Sequence, residues 1–201
     1  MRKVIFSIIS LFLLSGCKNP LEEMGRINNF LTDLSQVYTA TFDGPEADDV
    51  TKIDFSVKKL YLSNPEKFSK AEKGNFITVD AKEVDKITAQ YFSSTIKEPQ
   101  NTVDVDYKKK EDKYQIMPFE KNELVFSKVD EIIKEKNDTL LLKVNVYTCD
   151  KAWKGDYNSD EILWKEQDSK ITPEVYKKMR VVIVRKPDGY RLISYTDLKE
   201  K

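Results

Sequence analysis

At Thr102 the apolar residues of this chain change their spacing, and that change restricts the folds open to it. Before it, Leu21, Met24, Ile27, Leu31, Leu34 and Tyr38 recur at three- and four-residue steps, the single stripe of an amphipathic helix. After it, Val103, Val105 and Tyr107 alternate with Asp104 and Asp106, the period-two pattern of a half-buried strand. Helices first and hairpins afterwards give an α+β fold, with N-terminal helices packed on a curved antiparallel sheet.

Local signals place the elements. Asn19 is an N-cap residue, Pro20 suits the first helical position, and Glu22 and Glu23 favour the positive end of the helix dipole. Asp43-Gly44-Pro45 breaks the pattern. Val50, Ile53, Val57, Leu60 and Tyr61 then suit a second helix; Ile53-Phe55-Val57 also alternates, so a strand competes with the favoured helix. Ile77 and Val79 form a short strand before a capping box, Asp80 with Glu83, that opens a helix running from Asp80 to Ser93. Lys108 to Lys113 is a turn and Tyr114 to Met117 a strand. Leu124–Ile133 and Thr139–Thr148 flank Lys136-Asn137-Asp138, and Val181–Val184 and Tyr190–Tyr195 flank Lys186-Pro187-Asp188-Gly189, two hairpins with strong turn chemistry.

This order, with the Asp80–Ser93 helix and the closing Tyr190-Arg191-Leu192-Ile193-Ser194-Tyr195 strand, resembles the cystatin-like and NTF2-like α+β proteins. The resemblance implies a sheet curved around a helix, often with a pocket. Such folds host enzymes, ligand binders and interaction modules alike, so the likeness chooses no function.

The connection from Asp150 to about Lys178 is long, and long connections are often functional. It carries Trp153, Tyr157 and Trp164, the residues expected to contact a ligand or partner, because aromatic rings combine apolar area with a polar edge. The competing expectation is that they seal the open face of the sheet. Thr172-Pro173-Glu174 is expected to start a short helical turn. Asp156, Asn158 and Asp160 match the first, third and fifth positions of a calcium loop, but Glu161 replaces the required glycine and Gln167 the bidentate glutamate. No metal site or cofactor is therefore expected. Asp104 and Asp106 share a strand face as a pair of carboxylates, yet alternating acids usually mark the solvent side.

Histidine is absent. That excludes Ser-His-Asp and Cys-His nucleophilic systems and His-ligated zinc or haem. Of the two cysteines, Cys149 lies in an apolar run and reads as a buried thiol. Basic and acidic residues number 34 each, so no basic excess exists to hold nucleic acid.

The other cysteine closes the N-terminal segment. Arg2 and Lys3 precede an apolar run, Val4 to Leu14, too short for the roughly 20 residues that span a bilayer. Leu14-Ser15-Gly16-Cys17 follows and resembles the lipobox of bacterial lipoproteins. The resemblance implies a signal peptide over residues 1–16, acyl chains on Cys17, and one extracytoplasmic domain over residues 17–201. Membrane lipid then contacts the protein through those chains, and the mature protein is anchored without crossing. Only Lys18 and Asn19 separate the anchor from the first helix, so the domain sits close to the bilayer.

The expected function is a membrane-anchored binding or accessory module for an envelope protein or a small ligand, with no catalytic residue identified. A carboxylate- or tyrosine-dependent enzyme in a pocket of the same fold and a structural envelope component are the alternatives.

Overall fold

The computed structural model describes residues 20–198; the expected signal peptide, Cys17 and the Asn19 expected as an N-cap lie outside them. The fold is α+β. Helix α1 spans Pro20–Gln36 and α2 spans Asp49–Ser63. The competition over Ile53–Val57 is settled for the helix, whose Asp48 N-cap accepts the backbone N–H of Thr51 at 2.7 Å. Strands β1 (Ser69–Lys70) and β2 (Ile77–Asp80) lead into helix α3 (Ala81–Tyr91), followed by β3 (Val105–Lys108) and β4 (Lys113–Ile116). Four long elements then form a meander: β5 (Glu123–Lys136), β6 (Thr139–Asp150), β7 (Glu174–Lys186) and β8 (Gly189–Asp197). A short helix, α4 (Glu161–Gln167), lies between β6 and β7.

The strands divide into two antiparallel sheets, β1-β2-β4-β3 and β5-β6-β7-β8. In the long sheet, register shifts interrupt β5 near Val129 and Ile132, β6 at Val146–Tyr147, and the β7–β8 pair at Val182–Ile183. Such bulges bend strands and strengthen their twist. On one face Leu140, Leu142, Val144, Val146, Met179, Val181 and Ile183 are buried together with Ile27, Leu31 and Leu34 of α1.

Strand β5 is an edge of that sheet, and α1 runs along it. Asn28 Oδ1 accepts the Val129 N–H at 2.9 Å, Thr32 Oγ1 accepts the Ser127 N–H at 3.0 Å, and the Ser127 hydroxyl meets Ser35 at 3.0 Å. These helix residues lie three or four apart and are all buried, so they form a polar stripe beside the apolar one. At the other end of α1, Glu23 accepts a 2.6 Å bond from Arg185, which also donates to Glu135 at 2.5 Å.

Three details differ from the sequence reading. Asp80 occupies the N-cap position of α3 without a side-chain capping bond, and Glu83 pairs with Lys86 and Lys67 instead of closing the box. Strand β3 starts at Val105, because the Thr102 hydroxyl accepts the N–H groups of Asp104 and Val105 and turns the chain. Glu174 opens β7 opposite Thr148 rather than a helical turn.

The helices are tied by buried polar groups. Asp33 of α1 accepts from Lys59 of α2 at 2.6 Å and from the Tyr91 hydroxyl of α3. Lys52, 1% exposed, donates to Glu46 at 3.0 Å and to the Thr95 carbonyl at 3.2 Å, strapping the segment after α3 onto the start of α2.

Thr32→Val keeps the shape but leaves the Ser127 N–H unpaired, and is expected to destabilise by about 1–3 kcal/mol in urea unfolding. The Glu46 carboxyl is held at about 2, below its ordinary 4.5, by hydrogen bonds from Ser94, Lys52 and Lys97. Its stabilisation is whole above about pH 4.5 and is lost as pH falls toward 2. Glu46→Gln should flatten that part of the acid-unfolding profile.

Candidate functional site

The structure brings Trp153, Tyr157 and Trp164 together, but with their rings turned into the protein. Trp153 is 6% and Trp164 2% exposed. Phe126, on the face of β5 opposite the main core, is their hub. Tyr147 and Trp153 stack on it with centroids at 5.3 and 5.7 Å, Tyr157 lies at 5.4 Å, and Trp164 meets it edge-on at 5.4 Å. These rings therefore close the outer face of the sheet, as the competing expectation had it. The Tyr157 hydroxyl donates to Asn29 of α1 at 3.1 Å, so the segment also reaches around the β5 edge. Lys128 stands 4.9 Å from the Trp164 ring centroid.

The calcium-like positions are engaged within the same segment. Asp156 Oδ1 accepts the Asn158 N–H at 2.8 Å, and Asp160 caps α4 by accepting the Ile162 N–H at 3.1 Å. Gln167 Oε1 accepts the Asp156 N–H at 2.8 Å, closing the loop through an amide. Gly155 lies against Trp153: a Cβ there would come within 2.2 Å of Cζ2. Among the described residues no cluster of three or more metal-ligating side chains occurs.

The concave feature lies elsewhere. A cleft of about 1100 Å³ opens between the C-terminal end of α1, α2, the chain around Val103, the 117–122 linker joining β4 to β5, and Glu123 at the start of β5. Its apolar walls include Val103, 98% exposed, and Met117, 60% exposed. Phe119 is held by Tyr61 of α2, centroids 4.9 Å apart. Pro118 and Phe119 lie outside any regular element, which is why periodicity did not single them out.

Most charges on the cleft are already matched. Lys58 bridges Asp54 at 2.8 Å and Asp104 at 2.6 Å. Burial works to lower its pKa, but the two aspartates outweigh that and raise it. Asp106 pairs with Lys108 at 3.3 Å; Asp104 precedes β3 and bonds Lys58, so the two aspartates do not form the carboxylate pair on one strand face that alternation suggested. Tyr38 donates to Glu123, which also accepts from the Thr148 hydroxyl at 2.6 Å; these bonds hold the Glu123 carboxyl below its usual range. Burial and Glu123 push the Tyr38 phenol up to about 12.

Among the cleft's cations Lys121 is the exception. It is half-buried, no hydrogen bond or ion pair engages its ammonium among the described residues, and burial with nearby Lys59 draws its pKa down to about 8. Cys149 offers no nucleophile, since burial, Asp150 and Glu123 push its thiol up to about 11.

The cleft thus joins apolar side chains, carboxylates of which all but the exposed Glu120 are bonded, and a lysine without a bonded partner among the described residues, an arrangement suited to holding a ligand. The chain matches no protein-family model, no curated protein and no solved structure.

Because the aromatic rings are buried, Trp164→Ala is expected to cost about 3–5 kcal/mol of stability. Gly155→Ala should displace Trp153 and loosen the same segment. Urea unfolding followed by tryptophan fluorescence, with limited proteolysis between residues 150 and 174, measures both effects.

Proposed function

We propose that this protein is a lipid-anchored binding module of the cell envelope that presents its cleft away from the membrane. The observation that carries the reading is the position of the cleft on α1. The lipobox-like Leu14-Ser15-Gly16-Cys17 ends three residues before the helix starts, whereas Gln36, Val37 and Tyr38 at its far end line the cleft. Its 17 residues, at about 1.5 Å each, separate the two by about 25 Å. An anchor at Cys17 would set the Glu23–Arg185–Glu135 end and both hairpin turns toward lipid and leave the cleft open to an envelope protein or a small ligand. No helix among the described residues is long and apolar enough to cross a membrane.

Binding is favoured over catalysis by the carboxyls. A carboxylate-dependent enzyme needs a concave site holding an acid of raised pKa. Among the described residues such a raised carboxyl is Asp85, which is exposed on α3 and does not line the cleft, whereas Glu123 in the cleft is shifted down. A purely structural envelope component would need no cleft.

The full chain is expected in the membrane fraction, with mass spectrometry finding an acylated Cys17 at its N-terminus, and Cys17→Ala should release it from lipid. Fluorophores attached through Val103→Cys and Asp188→Cys, in chains lacking Cys149, then report orientation. A quencher carried on lipid headgroups should dim the Asp188 position strongly and the Val103 position little. A Cys17→Ala chain that stays membrane-bound through its body, or equal quenching at the two positions, would overturn the reading.

A further inference from the structure

We infer that the outer face of the long sheet, at its hairpin-turn end, lies against the anionic headgroups of the membrane. The inference rests on the anchored reading and gives it a lipid-facing surface. The register fixes which side chains share this face. Buried residues of β6 and β7, such as Leu142 and Val181, point into the core, so the residues alternating with them point outward. Lys143 with Arg180, and Lys134 with Leu141 and Val182, form two outward rows across the strands. Lys136 and Arg191 stand in the next row toward the turns, through Thr139 and Val184, and Lys186 ends β7 on the same side. Lys178 lies one row further from the turns, opposite Asn145.

The acids on this face are outnumbered. Glu131 sits among the cations, Asp130 reaches Lys143 at 2.7 Å, and Asp188 is bonded to Arg191 at 2.7 Å. With Asp43 and Asp138 at its margins the face still keeps a positive excess, although the whole chain is neutral. Between the cations Leu141, Val182 and Val184 are half-buried, and Ile133, the extra residue of a β5 bulge beside them, is 45% exposed. An apolar strip bounded by Lys and Arg suits a lipid surface, where the side-chain stems lie along apolar groups and the charged heads reach phosphate. A soluble polyanion would use the cations and leave the strip wet. The anchor belongs to the same end: Arg185 bonds to Glu23 at 2.6 Å, fixing the first turns of α1 beside the hairpins, and Cys17 precedes that helix by three residues in the sequence. Salt screens such an attraction beyond about 8 Å, so it orients a body that acyl chains already hold and does not replace them.

The test is vesicle sedimentation with residues 17–201 carrying Cys17→Ala, which keep every described element and bear no acyl chain. At low ionic strength this chain should bind vesicles of equal parts phosphatidylglycerol and phosphatidylcholine at least about tenfold more tightly than phosphatidylcholine alone. Salt at about 0.15 M should remove most of that preference. Lys134→Gln, Lys136→Gln and Arg180→Gln combined should weaken binding to the anionic vesicles by about tenfold or more, since one basic side chain at such a surface is worth about fivefold. Lys70→Gln, Lys73→Gln and Lys82→Gln remove the same charge from the small sheet and α3, and should change it by less than about twofold. All six side chains are exposed, so both variants should keep the urea midpoint of the parent. Equal losses in the two variants would show a response to net charge alone, and an absence of preference for the anionic vesicles would leave the face without lipid; either overturns the inference. Retention on polyphosphate without binding to the vesicles would assign the face to a polymer and overturn it as well. Acylation of Cys17 is read separately by mass spectrometry, so the anchored reading stands or falls on its own measurement.

Discussion

A sheet edge cannot be left with a row of unanswered backbone groups, and the way β5 meets that constraint organises the molecule. Main-chain donors at Ser127 and Val129 are taken up by Thr32 and Asn28 of α1. The helix thus serves both as a core layer, through Ile27, Leu31 and Leu34, and as a substitute for the missing neighbouring strand. Because the polar and apolar stripes are adjacent on one helix, its position against the sheet is specified by hydrogen bonds as well as by burial. A slide by one turn would bury unpaired polar groups, which is more costly than loss of a few apolar contacts.

The same strand supports the two features that bear on function. Its opposite face carries Phe126, around which Tyr147, Trp153, Tyr157 and Trp164 assemble. Its first residue, Glu123, receives the Tyr38 hydroxyl at the mouth of the cleft. The aromatic cluster and the cleft are therefore built from residues three apart at the start of one strand. The segment after β6 stiffens β5 from outside while α1 holds it along the edge, so the cleft wall at residues 117–123 starts from a fixed point.

The parts of this architecture that depend on local chemistry were legible in the sequence. Apolar spacing located α1, α2 and α3, and turn residues such as Asn137, with positive φ, and Gly189 located the hairpins. The division into two sheets was not legible, because it depends on which edges pair across long sequence separations. Nor was the destination of the tryptophans: composition marks Trp153 and Trp164 as large and amphipathic, but only the placement of Phe126 and Tyr147 decides that they face inward. Helix α4, which carries Trp164, has seven residues, too few for periodicity to show. The cleft was hidden for a related reason. Its walls come from Tyr38, Val103 and the 117–122 linker, positions where regular patterns stop.

Tyr38 shows how such a break becomes part of a site. Helix α1 ends with the Thr39 N–H on the Leu34 carbonyl at 3.2 Å and the Tyr38 N–H on the Ser35 carbonyl at 3.0 Å, the paired bonds of a Schellman ending. This geometry puts Tyr38 at φ 54°, where glycine is preferred and a side chain costs about 1 kcal/mol. Glycine would terminate the helix as well and with less strain, but would supply no hydroxyl to Glu123 and no wall to the cleft. The left-handed turn aims the ring away from the core stripe to which its spacing in the sequence had assigned it. The feature that stops the helix is thus also the one that delivers a polar aromatic group to the cleft, at the cost of a strained residue that the rest of α1, fixed along β5, is stable enough to hold.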